Sequence, residues 1–173
     1  RTNSDLANIL GNLVNRTISM VHKYFDGEVS NQEEVEAIDQ ELLTMIDQLE
    51  DKVEEKMQKL EIGAALDEIF NLLRRSNKYI DETLPWALAK DETKKARLAT
   101  VLYHLLESIR VSSLFLASFL PDTATEIQRQ LNTKCDSKRM VIDLVYTVSE
   151  PKPLFLRIDK EKKLQELGQS NNS

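Results

Sequence analysis

The 173-residue sequence holds one cysteine, Cys135, one tryptophan, Trp86, four glycines and four prolines. A single cysteine excludes an intrachain disulfide and any cysteine-based metal cluster, and it fits a reducing, cytosolic setting. With no helix start or histidine beside it in sequence, Cys135 reads as an inert thiol. No glycine-rich phosphate loop or nucleophile elbow is present. The two histidines, His22 and His104, have no second His or Cys at ligand spacing. His104 reads as a packed helix residue and His22 as an exposed one. Basic charge is also short: 23 Lys and Arg stand against 29 Asp and Glu, for a net charge of -6. That excludes broad, sequence-independent phosphate binding but leaves room for a small local nucleic-acid site. No long apolar run appears. The most apolar stretch, Val111 to Leu120, carries three serines and falls far short of the roughly 20 residues a membrane span needs. No secretory signal is read at the start. The chain opens at Arg1 in what reads as the lead-in to a helix, as an excerpt of a longer protein would.

What is present is helical periodicity. High charge with ordinary apolar content favours a soluble all-α protein, and the length suits one domain. Apolar residues recur at Leu6, Ile9, Leu10, Leu13, Met20, Val21 and Tyr24, with Val14 widening the stripe. Ser4 or Asn3 caps this helix near Asp5, and Asp26-Gly27 ends it. A second stripe runs through Ile38, Leu42, Leu43, Met45, Ile46, Leu49, Val53 and Met57, opened by Ser30 or Asn31 and a glutamate run. The acids between Asp47 and Glu55 fall mostly between stripe positions and read as a solvated face, not as a metal site or catalytic pair. A third stripe takes Leu66, Ile69, Phe70, Leu73 and Ile80. Gly63 there is a joint or a tolerated helix glycine, and Arg74 and Arg75 read as surface charges. Asp91-Glu92 open a fourth helix, Leu98 to Phe119, stopped at Leu120-Pro121; Asp122 caps a fifth through Leu131.

The pattern breaks over 132–149, where Met140 to Tyr146 reads equally as a short strand or a buried helical turn. Pro151 to Ile158 reads as extended, Asp159 to Leu167 as a short charged helix, and Gln169 to Ser173 as disordered. The expected fold is therefore all-α: an antiparallel bundle of about five main helices over 1–132, a tail over 133–168 with an extended part and a short C-terminal helix, and a disordered end over 169–173.

Two features carry candidate chemistry. On the first helix, Asp5, Asn12, Arg16 and Lys23 share a polar stripe, and Asn12 and Arg16 are i, i+4 neighbours that reach the same object. Asn offers a donor and an acceptor, and Arg a planar donor fork. Such a pair reads the edges of an unstacked base, or is simply a solvated flank. The second feature is Asn77 to Ala89. Pro85 removes a backbone donor and biases Leu84 away from the helical region, so a helix ends or kinks there. That leaves the Trp86 indole at a turn, either corking the core or standing out as a platform for a flat ligand.

The run Ser4-Asp5-Leu6-Ala7-Asn8-Ile9-Leu10-Gly11-Asn12-Leu13-Val14-Asn15-Arg16 resembles the helix that opens the anticodon-binding domain of bacterial-type methionyl-tRNA synthetases. Asn77, Tyr79, Asp81, Pro85 and Trp86, followed by Ala89-Lys90, resemble that domain's anticodon-facing corner. Leu98 to Tyr103, the Leu120-Pro121 stop, Pro153-Leu154-Phe155 and Arg157-Ile158-Asp159 match as well, so the resemblance covers nearly the whole chain in order. The chain departs from the family pattern at Leu156, where a proline is usual, and over 132–149, where glycines and an aromatic are usual.

The resemblance implies a five-helix bundle of a class I synthetase that binds the CAU anticodon, with Asn12, Arg16 and Trp86 as the contacts. Asn77 and Asp81 match positions near the same surface, where a carboxylate rejects wrong bases by setting acceptor against acceptor. It implies a parent that attaches methionine to its tRNA using ATP, with methionine and ATP as substrates and zinc in its other domains. It also implies a tail, 133–168, that returns to the catalytic domain, where Leu154, Phe155 and the last helix dock. The family's two ATP-handling signatures and its zinc-binding cysteines are not in this sequence, so no cofactor and no methionine activation are expected of this stretch alone. The partners implied are the anticodon loop of methionine tRNA and the catalytic domain, with no membrane. Two other readings compete: a helical-bundle module that docks a protein partner without RNA, and a small helical enzyme using surface carboxylates. Against the first, Gly63 and Pro85 break any heptad seam; for the second, no paired His or buried acid signature is seen.

Overall fold

A computed structural model describes residues 7–154. The expected cap at Asn3 or Ser4, Phe155, the Asp159–Leu167 helix and the disordered 169–173 lie outside the described residues. A π-helical turn, Ala7–Gly11, leads into α1 (Asn12–Phe25). Then come β1 (Glu28–Ser30), α2 (Gln40–Gln58), α3 (Ile62–Thr83), the single turn α4 (Pro85–Leu88), α5 (Lys95–Leu116), α6 (Pro121–Leu131) and β2 (Val145–Thr147). The five long helices are those read from the apolar stripes. Buried side chains from Leu10 to Leu154 form one hydrophobic cluster, so the chain holds its own core. Among the described residues no helix is long and apolar enough to cross a membrane.

The centre is α5, buried on nearly every side from Arg97 to Leu116. A helix that is covered all round must find partners for its polar residues inside the protein. Two ion-paired clusters on α5 do this, and each pulls a distant segment onto it. Near its start, Arg97 donates both Nη atoms to the fully buried Asp39 carboxylate, at 2.6 and 2.8 Å, and also to the Glu34 carbonyl at 2.8 Å. The Tyr79 hydroxyl of α3 donates to the same carboxylate at 2.7 Å. In the middle of α5, Glu107 accepts from Arg110 Nε at 2.6 Å and Nη2 at 2.9 Å, from the Val141 amide at 2.7 Å, and from the Tyr146 hydroxyl. Arg110 in turn donates to the carbonyls of Ser137 and Arg139, at 2.6 and 2.9 Å.

Several expectations are corrected. Ser30 and Asn31 do not open α2: residues 31–36 run irregularly along α5, with the Glu34 amide on Thr100 Oγ1 at 3.1 Å. The start is set instead by a reciprocal capping box between Glu36 and Asp39 in a 3-10 turn, Ala37–Asp39. Arg75 is not a surface charge; it is buried between Glu41 and Glu82, at 3.2 and 2.6 Å. Gly63 is a tolerated glycine in the first turn of α3, with open space around it. Pro121 takes the first position of α6, so Asp122 lies inside its first turn and does not cap it. His22 is half-buried, its Nε2 2.8 Å from the Ser149 carbonyl.

Residues 133–154, the described part of the tail, lie against the bundle. Glu107 and Arg110 bind them, Leu154 is already buried in the core cluster, and the ambiguous 140–146 stretch runs into β2. That strand pairs antiparallel with β1, Val29 opposite Tyr146. Gly27 makes the ribbon's entry at φ +91, and a Cβ there would meet the His22 ring at 3.0 Å.

His104 sits beside the first cluster, Nδ1 3.1 Å from the Tyr79 hydroxyl. Burial pushes its imidazole down from 6.5 to about 4; the Asp39 carboxylate pulls upward and Arg97 adds to the fall. An unfolded chain binds this proton near pH 6.5, and the fold refuses it until about 4. His104 therefore stabilises fully above that range, and its contribution is lost as pH falls through it, on the order of 2 kcal/mol by about pH 5. The urea midpoint should drop between about pH 7 and 5, and drop less in His104→Gln. An identical drop in both proteins would assign it to other groups.

Candidate nucleic-acid interface

The geometry begins with how α3 ends. Leu84 takes a left-handed conformation, φ 51, while its amide still bonds the Ile80 carbonyl at 3.0 Å. Its carbonyl then receives the amides of Ala87 and Leu88, at 2.9 and 3.1 Å. One residue thus closes α3 and starts α4, and Pro85 at the first helical position loses no needed donor. The left-handed turn, in place of the extended one expected before proline, lets both helices keep their bonds; for a leucine it costs about 1–2 kcal/mol. The corner throws the next side chain outward. Trp86 is 42% exposed, so of the two roles left open for it the core plug is ruled out.

Against this indole lies the outer flank of α1. Asn15, Arg16, Ser19, Met20, Lys23, Tyr24 and Trp86 line one cavity of about 360 Å³. The α1 contributors fall on two adjacent i, i+4 rows, Asn15-Ser19-Lys23 and Arg16-Met20-Tyr24. Arg16 also reaches Asp81 on the last turn of α3, with Nη2 to Oδ1 at 3.6 Å and both side chains well exposed. That separation is an exposed ion pair of small net worth, readily traded for a ligand.

The structure thus brings Arg16, Asp81 and Trp86 together. Asn12 is exposed one turn up α1 on the Arg16 row but outside the walls of this cavity. Asn77 is turned inward: its Nδ2 donates to the Ile9 carbonyl at 3.1 Å, tying α3 to the π-helical turn. Met20 and Tyr24, counted in the apolar stripe, do pack half-buried against the core, and they also wall the cavity. The signal that finds them is the four-residue row from Arg16, which spacing alone cannot tell from core. Among the described residues no group of three His, Cys, Asp or Glu is placed to hold a metal ion. An exposed indole and an arginine fork around one cavity, with a carboxylate ion-paired to that arginine, suit a flat, hydrogen-bonding ligand such as an unstacked base.

Comparison with known proteins points the same way. Residues 29–165 match the family model of the anticodon binding domain of methionyl tRNA ligase. The chain is 49% identical to the methionine–tRNA ligase of Clostridium acetobutylicum and 46% identical to that of Clostridium tetani, covering 97% of this chain and 27% of each ligase. Among solved structures, Mycobacterium tuberculosis methionyl-tRNA synthetase in complex with methionyl-adenylate is similar with a TM-score of 0.82 at 33% identity, over 90% of this chain and 32% of that one. The chain spans about a quarter of the length of the curated relatives it matches. The partner-docking bundle and the small helical enzyme are thereby set aside, and the chain belongs to the family of methionyl-tRNA ligase anticodon-binding domains.

Proposed function

We propose that this chain reads the CAU anticodon of methionine tRNA, with Trp86 stacking on a base and Arg16 and Asn12 reading base edges. The longer protein to which it belongs attaches methionine to that tRNA in the cytoplasm, its other domains binding ATP, methionine and zinc. The 133–168 stretch leads back to the catalytic domain. Asp81 both holds Arg16 and sets acceptors against a wrong base. Asn77 acts at this surface by holding α3 in place. The observation that carries the reading is the exposure of Trp86 in one cavity with Arg16. An acidic chain suits the task, because a reader of a few splayed bases needs no broad basic face.

The test is binding of this chain to a CAU anticodon stem-loop at low salt, against the same loop with an altered triplet. Trp86→Ala should weaken CAU binding by about 1–3 kcal/mol with helicity unchanged. Arg16→Ala should narrow the difference between the two loops. Equal binding of both loops by the unmodified chain would overturn the reading.

A further inference from the structure

The cavity at Trp86 does not end at Tyr24. A second cavity, of about 300 Å³, starts at the same Lys23 and Tyr24 and runs to the beginning of α5, with Leu88, Asp91, Glu92 and Lys95 among its walls. Lys23 and Tyr24 line both, so the two cavities adjoin, with Trp86 in the wall of one and Lys95 in the wall of the other. Both lysines are exposed and lie over rings: Lys23 Nζ is 5.6 Å from the Tyr24 centroid and Lys95 Nζ is 5.8 Å from that of Phe25. The Asp91 carboxylate is turned back on its own chain, accepting the amide and hydroxyl of Thr93. Two lysines and two acids balance, so the second cavity is no general phosphate trap. Its recognition surface is the ring of Tyr24.

Stacking faces alternating with cations along one groove hold unpaired nucleic acid. We propose that the second cavity takes one further unpaired nucleotide, adjoining the anticodon triplet, with its base on Tyr24 and its phosphate toward Lys95. This rests on the anticodon reading and extends it from the triplet to a neighbour.

The test uses this chain with CAU stem-loops made abasic at the loop nucleotide on one or the other side of the triplet, binding followed by anisotropy of end-labelled RNA. One of the two abasic loops should bind about 5- to 150-fold more weakly than the intact loop. Tyr24→Ala should lose a similar factor on the intact loop, and the same abasic site should then cost no more. Tyr24→Phe, which keeps the ring, should bind as the unmodified chain does. If neither abasic loop binds more weakly, the extension is wrong, and that arm needs no protein variant. A full abasic penalty persisting in Tyr24→Ala would also overturn it. Trp86→Ala separates the two claims. Loss of the CAU loop by Trp86→Ala with no loss by Tyr24→Ala leaves the triplet reading standing and removes the extension. Undiminished binding by Trp86→Ala removes both.

Discussion

Glu107→Gln should lower the unfolding free energy by about 3–5 kcal/mol, a large share of what a domain of this size has. Glu107 is fully buried and takes donors from Arg110, Val141 and Tyr146. Glutamine keeps the shape but removes the charge and turns one acceptor into a donor facing donors. Arg110, 1% exposed, is then left as an uncompensated buried cation. Replacing both partners by leucine should not rescue the loss. Arg110 also satisfies the carbonyls of Ser137 and Arg139, which would be orphaned. Urea unfolding followed by far-UV circular dichroism checks this: the midpoint should fall with an unchanged slope if the native fold persists. A loss under about 1 kcal/mol would mean that water reaches the pair and screens it.

Asp39→Asn should have an effect of similar size, about 3–5 kcal/mol near neutral pH, because it strands Arg97 inside the protein. A second readout identifies the cause. Burial resists ionisation of Asp39, yet hydrogen bonds from Arg97, the Glu36 amide and Tyr79 outweigh it and hold the carboxyl below its usual range. A group whose folded pKa is depressed stabilises above its unfolded pKa, near 3.8, and that stability is lost as pH falls further toward the folded value. Stability should therefore fall with acid below about pH 4 in the unmodified chain, and less steeply in Asp39→Asn. Parallel acid limbs in the two proteins would assign the loss to other carboxylates.

Neither cluster was legible as a cluster. Spacing places Arg97, Glu107 and Arg110 on a helix, but a helical period says nothing about partners that arrive from far along the chain. Arg75 was misread for the same reason, since it looks like any helix-surface arginine until Glu41 and Glu82 close over it. The five long helices were legible because each buries a stripe several turns long, which local spacing alone defines. The ribbon was not, because three residues on each side carry no readable alternation. At the candidate site, the Asn12-Arg16 pair and the Pro85 break could be read from residues. The approach of Arg16 to Trp86 was implied only by resemblance, because periodicity cannot bring two helices together. Tyr24 was hidden by being apolar enough to pass for core.

The ribbon also bears on the order of events during synthesis. β1 follows directly from the helix that carries Arg16, yet its partner strand lies near the far end of the described chain. The same late segment supplies the Val148 amide to the Gly27 carbonyl and the Ser149 carbonyl to His22. At ~5–20 residues per second, these contacts become available on the order of a second after α6 has been made. Closing so large a loop is also the slow kind of step in folding, since its entropy must be lost before its contacts form. The first long helix of this bundle is thus fastened at its C-terminal end by residues made after α6, and a nascent chain halted before residue 145 should carry that end of α1 unfastened, however complete its helices.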